Sequence, residues 1–161
     1  MKSFQVYITR VKNNNNVILT ILKETDMNRQ EFVQKLLAYA SSNDYSMSDI
    51  VVTHGGACLM MGLRQETGDI DVMVAHDIWV DSIKQNMAPV DLTGGVWLIS
   101  ATPDIDIHVG MDEGVHPIVV SPEGVHYHGL EQTLLDYQKL NRPKDQTVIA
   151  GLVVALENSA A

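Results

Sequence analysis

The stretch from Thr53 to Val74, THGGACLMMGLRQETGDIDVMV, decides which fold we expect for the whole chain. It opens on two adjacent glycines and closes on a run in which aspartates alternate with isoleucine and valine. Because residues two apart in a β-strand point to the same face of a sheet, Asp69 and Asp71 are expected to project together. Ile70 and Val72 would then face the protein core on the opposite side.

Two carboxylates on one strand face need a physical cause, because like charges repel and raise the pKa of one member of the pair. A divalent cation removes this penalty. Mg²⁺ in particular prefers oxygen ligands, usually completed by water and substrate phosphates. Taken alone, an acid-x-acid pair is more often a solvated strand face, so a metal site requires further support from the sequence.

Gly55 and Gly56 lie where a short buried strand, DIVVTH at 49–54, is expected to turn into the short helix ACLMMGL. Glycine at such a junction lets backbone N–H groups approach a phosphate without a Cβ atom in the way, and a helix N-terminus favours an anion. A plain tight turn would explain an isolated glycine pair equally well.

A third carboxylate is supplied by PDIDIHV, where Asp104, Asp106 and His108 alternate along a second expected strand. Asp106 is the preferred third acid, because it lies between two isoleucines and deeper in the strand than Asp104. His108 would support the carboxylates or contact a base, with a hydrogen-bonded edge histidine as the alternative. Three carboxylates on two strands beside a glycine pair outline a site for two-metal phosphoryl transfer.

The run GG…R..T.DIDV with the later IDIH resembles the nucleotidyltransferase superfold, and in particular its minimal and AbiEii-like members. The resemblance implies that Asp69, Asp71 and Asp106 are the catalytic and metal-binding acids, with Asp104 and His108 as possible supporting residues. The positions that it assigns to nucleotide or phosphate binding are Gly55, Gly56, Arg64, Thr67, Lys139 and Lys144.

The C-terminal stretch LLDYQKLNRPKDQTVIAGL is similar to the closing helix of the same family. Arg142, Lys144 and Asp145 match its basic segment and Lys-Asp pair. Similar sequences carry a lysine where this chain has Gln138, and here Lys139 follows directly. The resemblance covers about residues 50–156.

The implied activity is transfer of a nucleoside monophosphate from a nucleoside triphosphate to an unidentified hydroxyl acceptor, with release of pyrophosphate. Asp69 and Asp71 would hold two Mg²⁺ ions, and Asp106 would lie next to the acceptor hydroxyl. Two alternatives stay open. One is a metal-dependent phosphohydrolase that uses the same carboxylates, and the other is a non-catalytic interaction protein that keeps the fold.

We expect one α+β domain over residues 1–161, with a nucleotidyltransferase-like mixed β-sheet flanked by helices. Residues 1–25 would form an added N-terminal β-hairpin around the four asparagines at 13–16, outside a family-like core at 50–156. Asn28 and Glu31 have the spacing of a capping box at the start of a helix over 28–42. GVWLIS and DIDIHV should pair antiparallel, HPIVVS and GVHYHG should form a hairpin, and helices are expected near 130–141 and 143–157.

The chain is acidic, with a formal net charge of −9. Such a balance makes non-specific nucleic-acid binding unlikely, because phosphate contacts depend on lysine and arginine. No apolar run approaches the roughly 20 residues of a membrane helix, so no membrane partner is expected. The single cysteine, Cys58, favours a reducing cytoplasm. A homodimer is possible through an edge of the N-terminal hairpin.

Overall fold

The computed structural model describes residues 4–7, 20–24, 26–85, 87–93, 95–109 and 114–160. The helices and strands of these residues, in chain order, are β1 (Phe4–Tyr7), β2 (Thr20–Glu24), β3 (Met27–Asn28), α1 (Arg29–Ser42), β4 (Ile50–Val52), α2 (His54–Met60), β5 (Glu66–Thr67), β6 (Ile70–Val74), α3 (His76–Lys84), β7 (Val90–Asp91), β8 (Trp97–Ser100), β9 (Ile105–Val109), β10 (Ile118–Val120), β11 (His126–His128), α4 (Leu130–Leu140) and α5 (Gln146–Ser159). Short 3-10 helices cover Met47–Asp49 and Pro143–Asp145.

A seven-stranded sheet organises the molecule, with the strand order β10-β11-β4-β6-β9-β8-β7. Strand β11 pairs parallel with β4, and β6 pairs parallel with β9, whereas the other neighbouring strands run antiparallel. The expected mixed sheet with helices, and with it the α+β class, is therefore confirmed. A separate two-stranded ladder joins β3 to β5 and links the start of α1 to the segment before β6.

One face of the seven-stranded sheet packs into the main core. Alternate residues of the three central strands are fully buried there, and they are Ile50, Val52, Ile70, Val72, Ile105 and Ile107. Helix α1 covers this layer with Phe32 and Leu36, both of which have no exposed surface. Full burial of one such side chain contributes about 1.5–3 kcal/mol, so this layer is the principal source of stability.

The start of α1 follows the expected capping box. The side-chain oxygen of Asn28 accepts a hydrogen bond from the Glu31 backbone N–H at 2.9 Å, and the Asn28 amide donates to the Glu31 carboxylate at 3.3 Å. The Glu31 backbone N–H, which a helix start would leave unsatisfied, is thus paired. The predicted helix over 28–42 is confirmed, with Asn28 as its N-cap.

The two predicted strand pairs in the second half of the chain are also confirmed. Strand β8 pairs antiparallel with β9, and β10 pairs antiparallel with β11 through a turn that contains Gly124 at a φ of +86°. The predicted helices near the C-terminus correspond to α4, the 3-10 turn and α5. The antiparallel β1–β2 pair lies where the N-terminal hairpin was expected, but the asparagine turn lies outside the described residues.

No helix in the described ranges is both long and apolar enough to cross a membrane.

Candidate active site

The parallel pairing of β6 with β9 brings two of the predicted acids side by side. In this register Asp71 is the partner of Asp106, and Ile70 is the partner of Ile105. Because side chains alternate along a strand, both aspartates project to the face opposite the buried isoleucines. Asp69 immediately precedes β6, two residues before Asp71. The strand register therefore places Asp71 and Asp106 side by side on one face.

The electrostatics of Asp71 show how closely the acids interact. Burial raises the pKa of the Asp71 carboxyl, and the charges of Asp106 and Asp69 raise it further, to about 7. Arg142 acts in the opposite sense and lowers this pKa. A carboxyl that titrates near neutral pH beside two other acids is the state expected where a cation would relieve repulsion.

Asp104 and Asp106 differ in their partners, although the sequence places them two residues apart. The Asp106 carboxylate accepts a hydrogen bond from the Ser100 hydroxyl at 2.9 Å, on the neighbouring strand β8. Asp104 lies before β9, and its carboxylate forms an ion pair with Lys35 of α1 at 3.0 Å. Asp106 thus shares the face of Asp71, whereas Asp104 is drawn towards α1.

A cleft of about 820 Å³ opens on the carboxylate face of the sheet. Most of the predicted site residues contribute to its wall. The lining residues are His54, Gly55, Arg64, Thr67, Gly68, Asp69, Asp71, Leu92, Thr93, Val96, His108, Tyr137, Lys139, Leu140, Arg142, Lys144, Asp145 and Val148. Of the predicted residues, Gly56, Asp104 and Asp106 do not line it.

The two adjacent glycines have different surroundings. A Cβ atom on Gly55 would lie 2.7 Å from Arg64 Nη1 and 3.1 Å from Thr67 Oγ1, so glycine at this position leaves room for two cleft residues. A Cβ atom on Gly56 would lie 2.6 Å from Phe32 Cζ and 2.7 Å from Val52 Cγ1, both in the main core. Gly55 therefore faces the cleft, whereas Gly56 allows α2 to pack closely against α1 and β4.

Four positively charged side chains line the same cleft as Asp69 and Asp71. Arg64 reaches the cleft from the segment after α2, and Lys139, Arg142 and Lys144 come from the end of α4 and the turn that follows. Gln138, at the position of the family lysine, is not part of the cleft wall, but its neighbour Lys139 is. The cleft thus combines carboxylates suited to a cation with guanidinium and ammonium groups suited to phosphate.

Arg142 is positioned by an ion pair within its own turn. Its Nε donates to Asp145 Oδ2 at 2.6 Å, and Asp145 is buried. The turn itself is set by Asn141, which ends α4 in the left-handed conformation at a φ of +47°, and by Pro143 at the start of the 3-10 helix. An Arg side chain that is held through Nε keeps its terminal N–H groups available for a second partner.

Sequence reasoning gave no site role to Arg142 or Tyr137. The sequence did contain a signal for Arg142, because the Asn-Arg-Pro run between two helices fixes the turn that carries it. His54 and Tyr137 form an edge-to-face pair with ring centroids 5.4 Å apart. No local pattern indicates that pair, since it depends on how α2 packs against α4.

The donor set suits Mg²⁺ chemically, since Asp69, Asp71 and Asp106 offer only oxygen atoms. Within the described part of the chain, however, no three His, Cys, Asp or Glu side chains are gathered closely enough to form a ready metal cluster. The strand register places the carboxylates as neighbours, and rotation of their side chains would be required for joint ligation.

Comparison with known proteins gives no assignment: no protein-family model, no curated protein and no solved structure matches this chain.

Proposed function

We propose that this chain is a Mg²⁺-dependent nucleotidyltransferase with a nucleotidyltransferase-like fold. It would transfer a nucleoside monophosphate from a nucleoside triphosphate to a hydroxyl acceptor and release pyrophosphate. The observation that carries the proposal is the composition of the cleft. The cleft wall contains Asp69, Asp71 and four basic side chains, and Asp106, outside that wall, is the partner of Asp71 on the neighbouring parallel strand.

A nucleoside triphosphate with its metal carries both kinds of charge that such a cleft can bind. Asp69, Asp71 and Asp106 would hold the Mg²⁺ ions, which supply neutralisation of phosphate charge and polarisation at the reacting phosphorus. Arg142, held by buried Asp145, and Lys144 would bind phosphate oxygens. Because Arg142 is held by Asp145 before substrate binds, it would stabilise developing charge with little reorganisation.

The residues around Gly55 would position the same ligand. Thr67 is buried, and its hydroxyl and the Arg64 guanidinium both lie on the side of Gly55 where a Cβ atom would be. A phosphate in this corner would meet a guanidinium, a hydroxyl and a backbone without a Cβ atom. We therefore assign Gly55, Arg64 and Thr67 to triphosphate binding.

The direct test is incubation of the protein with each α-phosphate-labelled nucleoside triphosphate, Mg²⁺ and a cell extract. Label should enter an acceptor, pyrophosphate should be released, and EDTA should abolish both. Asp69→Ala and Asp71→Ala should lose the activity yet keep the thermal unfolding transition. Asp77→Ala, an acidic residue in the first turn of α3 and outside the cleft wall, is the matched control.

The same assay separates the alternatives. Release of inorganic phosphate without a labelled acceptor, lost in the same aspartate variants, would identify a phosphohydrolase. No turnover and no rise in the unfolding temperature with Mg²⁺ and any nucleoside triphosphate would favour a non-catalytic interaction protein, because a ligand that binds only the folded state must stabilise it.

A cytoplasmic location fits this proposal, since nucleoside triphosphates and free thiols belong to the same compartment. Cys58 is a buried free thiol, which is consistent with a reducing environment.

A further inference from the structure

His54 is a buried titratable residue of the cleft wall that the proposed reaction has not used. It is the first residue of α2, immediately before Gly55, and only 9% of its surface is exposed. His54 is one of the residues that line the cleft. Its imidazole packs edge to face against Tyr137 of α4, so that the ring is held between two elements.

The backbone of His54 is in an unusual conformation. Its φ is +55°, in the left-handed region that residues with a side chain rarely adopt. A glycine would adopt this φ without strain, yet the residue at position 54 is a histidine. Backbone strain of this kind occurs preferentially at functional sites, where the surrounding structure holds it in place.

The hydrogen bonds of His54 fix which ring nitrogen carries the proton. Nδ1 lies 2.9 Å from the Thr53 hydroxyl oxygen, and the Thr53 hydroxyl lies 3.4 Å from the Asp71 carbonyl oxygen. Thr53 has a single hydroxyl hydrogen. Both bonds form together only if Thr53 donates to the Asp71 carbonyl and His54 Nδ1–H donates to Thr53. Nε2 then carries a lone pair and no hydrogen.

This Nε2 atom is buried and has no hydrogen-bond partner among the described residues. Burial also lowers the pKa of His54 to about 4. The charge of Asp136 opposes this effect, whereas His108, Arg142 and His128 add to it. The ring is therefore neutral at neutral pH, and a bare nitrogen acceptor cannot bind a phosphate oxygen, which is also an acceptor. It requires a ligand that donates a hydrogen bond.

We propose that His54 Nε2 accepts a hydrogen bond from a hydroxyl group of the substrate. The inference rests on the proposed function, which provides two such groups, a ribose hydroxyl of the nucleotide and the hydroxyl of the acceptor. A hydroxyl is favoured over a base amino group because Thr53 ties His54 to the backbone of Asp71, beside the carboxylates. The transferred phosphoryl group and its two oxygen partners must lie near those carboxylates.

The test uses the whole chain with His54→Asn, which suits a left-handed backbone but is too short to place an acceptor at the Nε2 position. Thr53→Val is the second variant, because it removes the hydroxyl that fixes the tautomer and leaves the imidazole in place. His76→Asn, an exposed histidine at the start of α3, is the matched control. Thermal unfolding confirms that each variant is folded. If His54→Asn does not fold, Thr53→Val decides.

Two measurements distinguish the hydroxyls. The first is the affinity for ATP, 2′-deoxy-ATP and 3′-deoxy-ATP with Mg²⁺, and for the other nucleotides if ATP does not bind. The second is the rate of label transfer in cell extract. A ribose contact predicts that wild type binds one deoxy analogue about tenfold more weakly and that His54→Asn loses this difference. If the contact is with the acceptor hydroxyl, His54→Asn should bind the nucleotides with wild-type affinity and transfer the label about tenfold more slowly. Thr53→Val should show the same effect at about threefold.

Each result has a defined meaning. The role of His54 would be overturned if the folded His54→Asn variant showed wild-type nucleotide affinity and wild-type label transfer. If that variant does not fold, the same result in Thr53→Val would overturn it. Either result would leave the proposed function intact. A wild-type protein that binds no nucleoside triphosphate would overturn both proposals. The His76→Asn control should match wild type, and an equal loss in that variant would also overturn the specific role of His54.

Discussion

The two faces of strands β6 and β9 are made by alternating residues of the same short segments, yet they serve opposite purposes. On one face Ile70, Val72, Ile105 and Ile107 are at most 2% exposed. On the other face the Asp71 carboxyl titrates near neutral pH beside like charges. Because side chains alternate along a strand, one face can stabilise the fold by packing while the other face holds carboxylates that repel one another. Substitutions at neighbouring positions should separate these effects.

The largest effect is expected for Asp71→Asn on catalysis. Removal of the charge eliminates a metal ligand and should lower Mg²⁺-dependent nucleotide turnover by at least about a hundredfold. The folded state should persist, because the substitution retains the shape of the side chain and removes repulsion. Turnover with labelled nucleotide and thermal unfolding in EDTA test both parts. Near-normal turnover would remove Asp71 from the site.

Ile70→Ala should have the opposite pattern. The side chain is fully buried, so truncation should lower the free energy of unfolding by about 2–5 kcal/mol through lost burial and a cavity. The fraction that remains folded should turn over nucleotide at nearly the wild-type rate. Urea unfolding monitored by tryptophan fluorescence gives the first quantity. A small loss of stability would show that this face is not the principal core.

The pH dependence of stability should report the burial of the Asp71 carboxyl and its repulsion by the neighbouring acids. The pKa of Asp71 is about 7 in the folded protein, against about 4 for an unfolded aspartate. The folded state therefore binds this proton more tightly, and the stability contributed at low pH is lost as the pH rises from about 4 to about 7. The difference between these pKa values corresponds to a loss on the order of 4 kcal/mol.

Asp71→Asn provides the control for this effect. In EDTA, the variant should become more stable than wild type as the pH rises to 8, and the advantage should disappear near pH 4. Urea unfolding across this range measures it. Parallel stability profiles for the two proteins would mean that Asp71 titrates normally and that the acids do not interact closely.

The smallest effect is expected from the two glycines, whose neighbours differ. Gly56→Ala would press a methyl group against Phe32 and Val52, and overpacking of a core costs about 1–3 kcal/mol. Gly55→Ala meets mainly the flexible end of Arg64, so stability should change less while nucleotide affinity falls. Equal stability losses in the two variants would contradict the difference between cleft and core.

Local alternation was enough to predict the shared face of Asp71 and Asp106, since strand geometry fixes it within each segment. Contacts between distant segments could not be predicted in this way. Gly56 is required by the ring of Phe32 on α1, and the Asp104 carboxylate is bound by Lys35 of the same helix. Both depend on how α1 packs across the sheet, which no spacing in the sequence records.

The helices and antiparallel pairs were predictable for the same reason, because caps and turns are local signals. The cleft wall opposite the acids was only partly predictable. Lys139 and Lys144 follow from the resemblance to the nucleotidyltransferase family, whereas the position of Arg142 depends on its ion pair with Asp145 and on the left-handed end of α4.

The parallel pairing of β6 with β9 also determines how the chain can tolerate insertions. Between these strands the chain crosses over through residues 75–104 before it returns alongside. Closure entropy grows only logarithmically with loop length, at about 0.6 kcal/mol for each doubling. Extra segments spliced into the outer turns of this crossover would leave the spacing between Asp71 and Asp106 unchanged. In the proposed reaction, such growth next to the cleft would be a low-cost route to a different acceptor specificity.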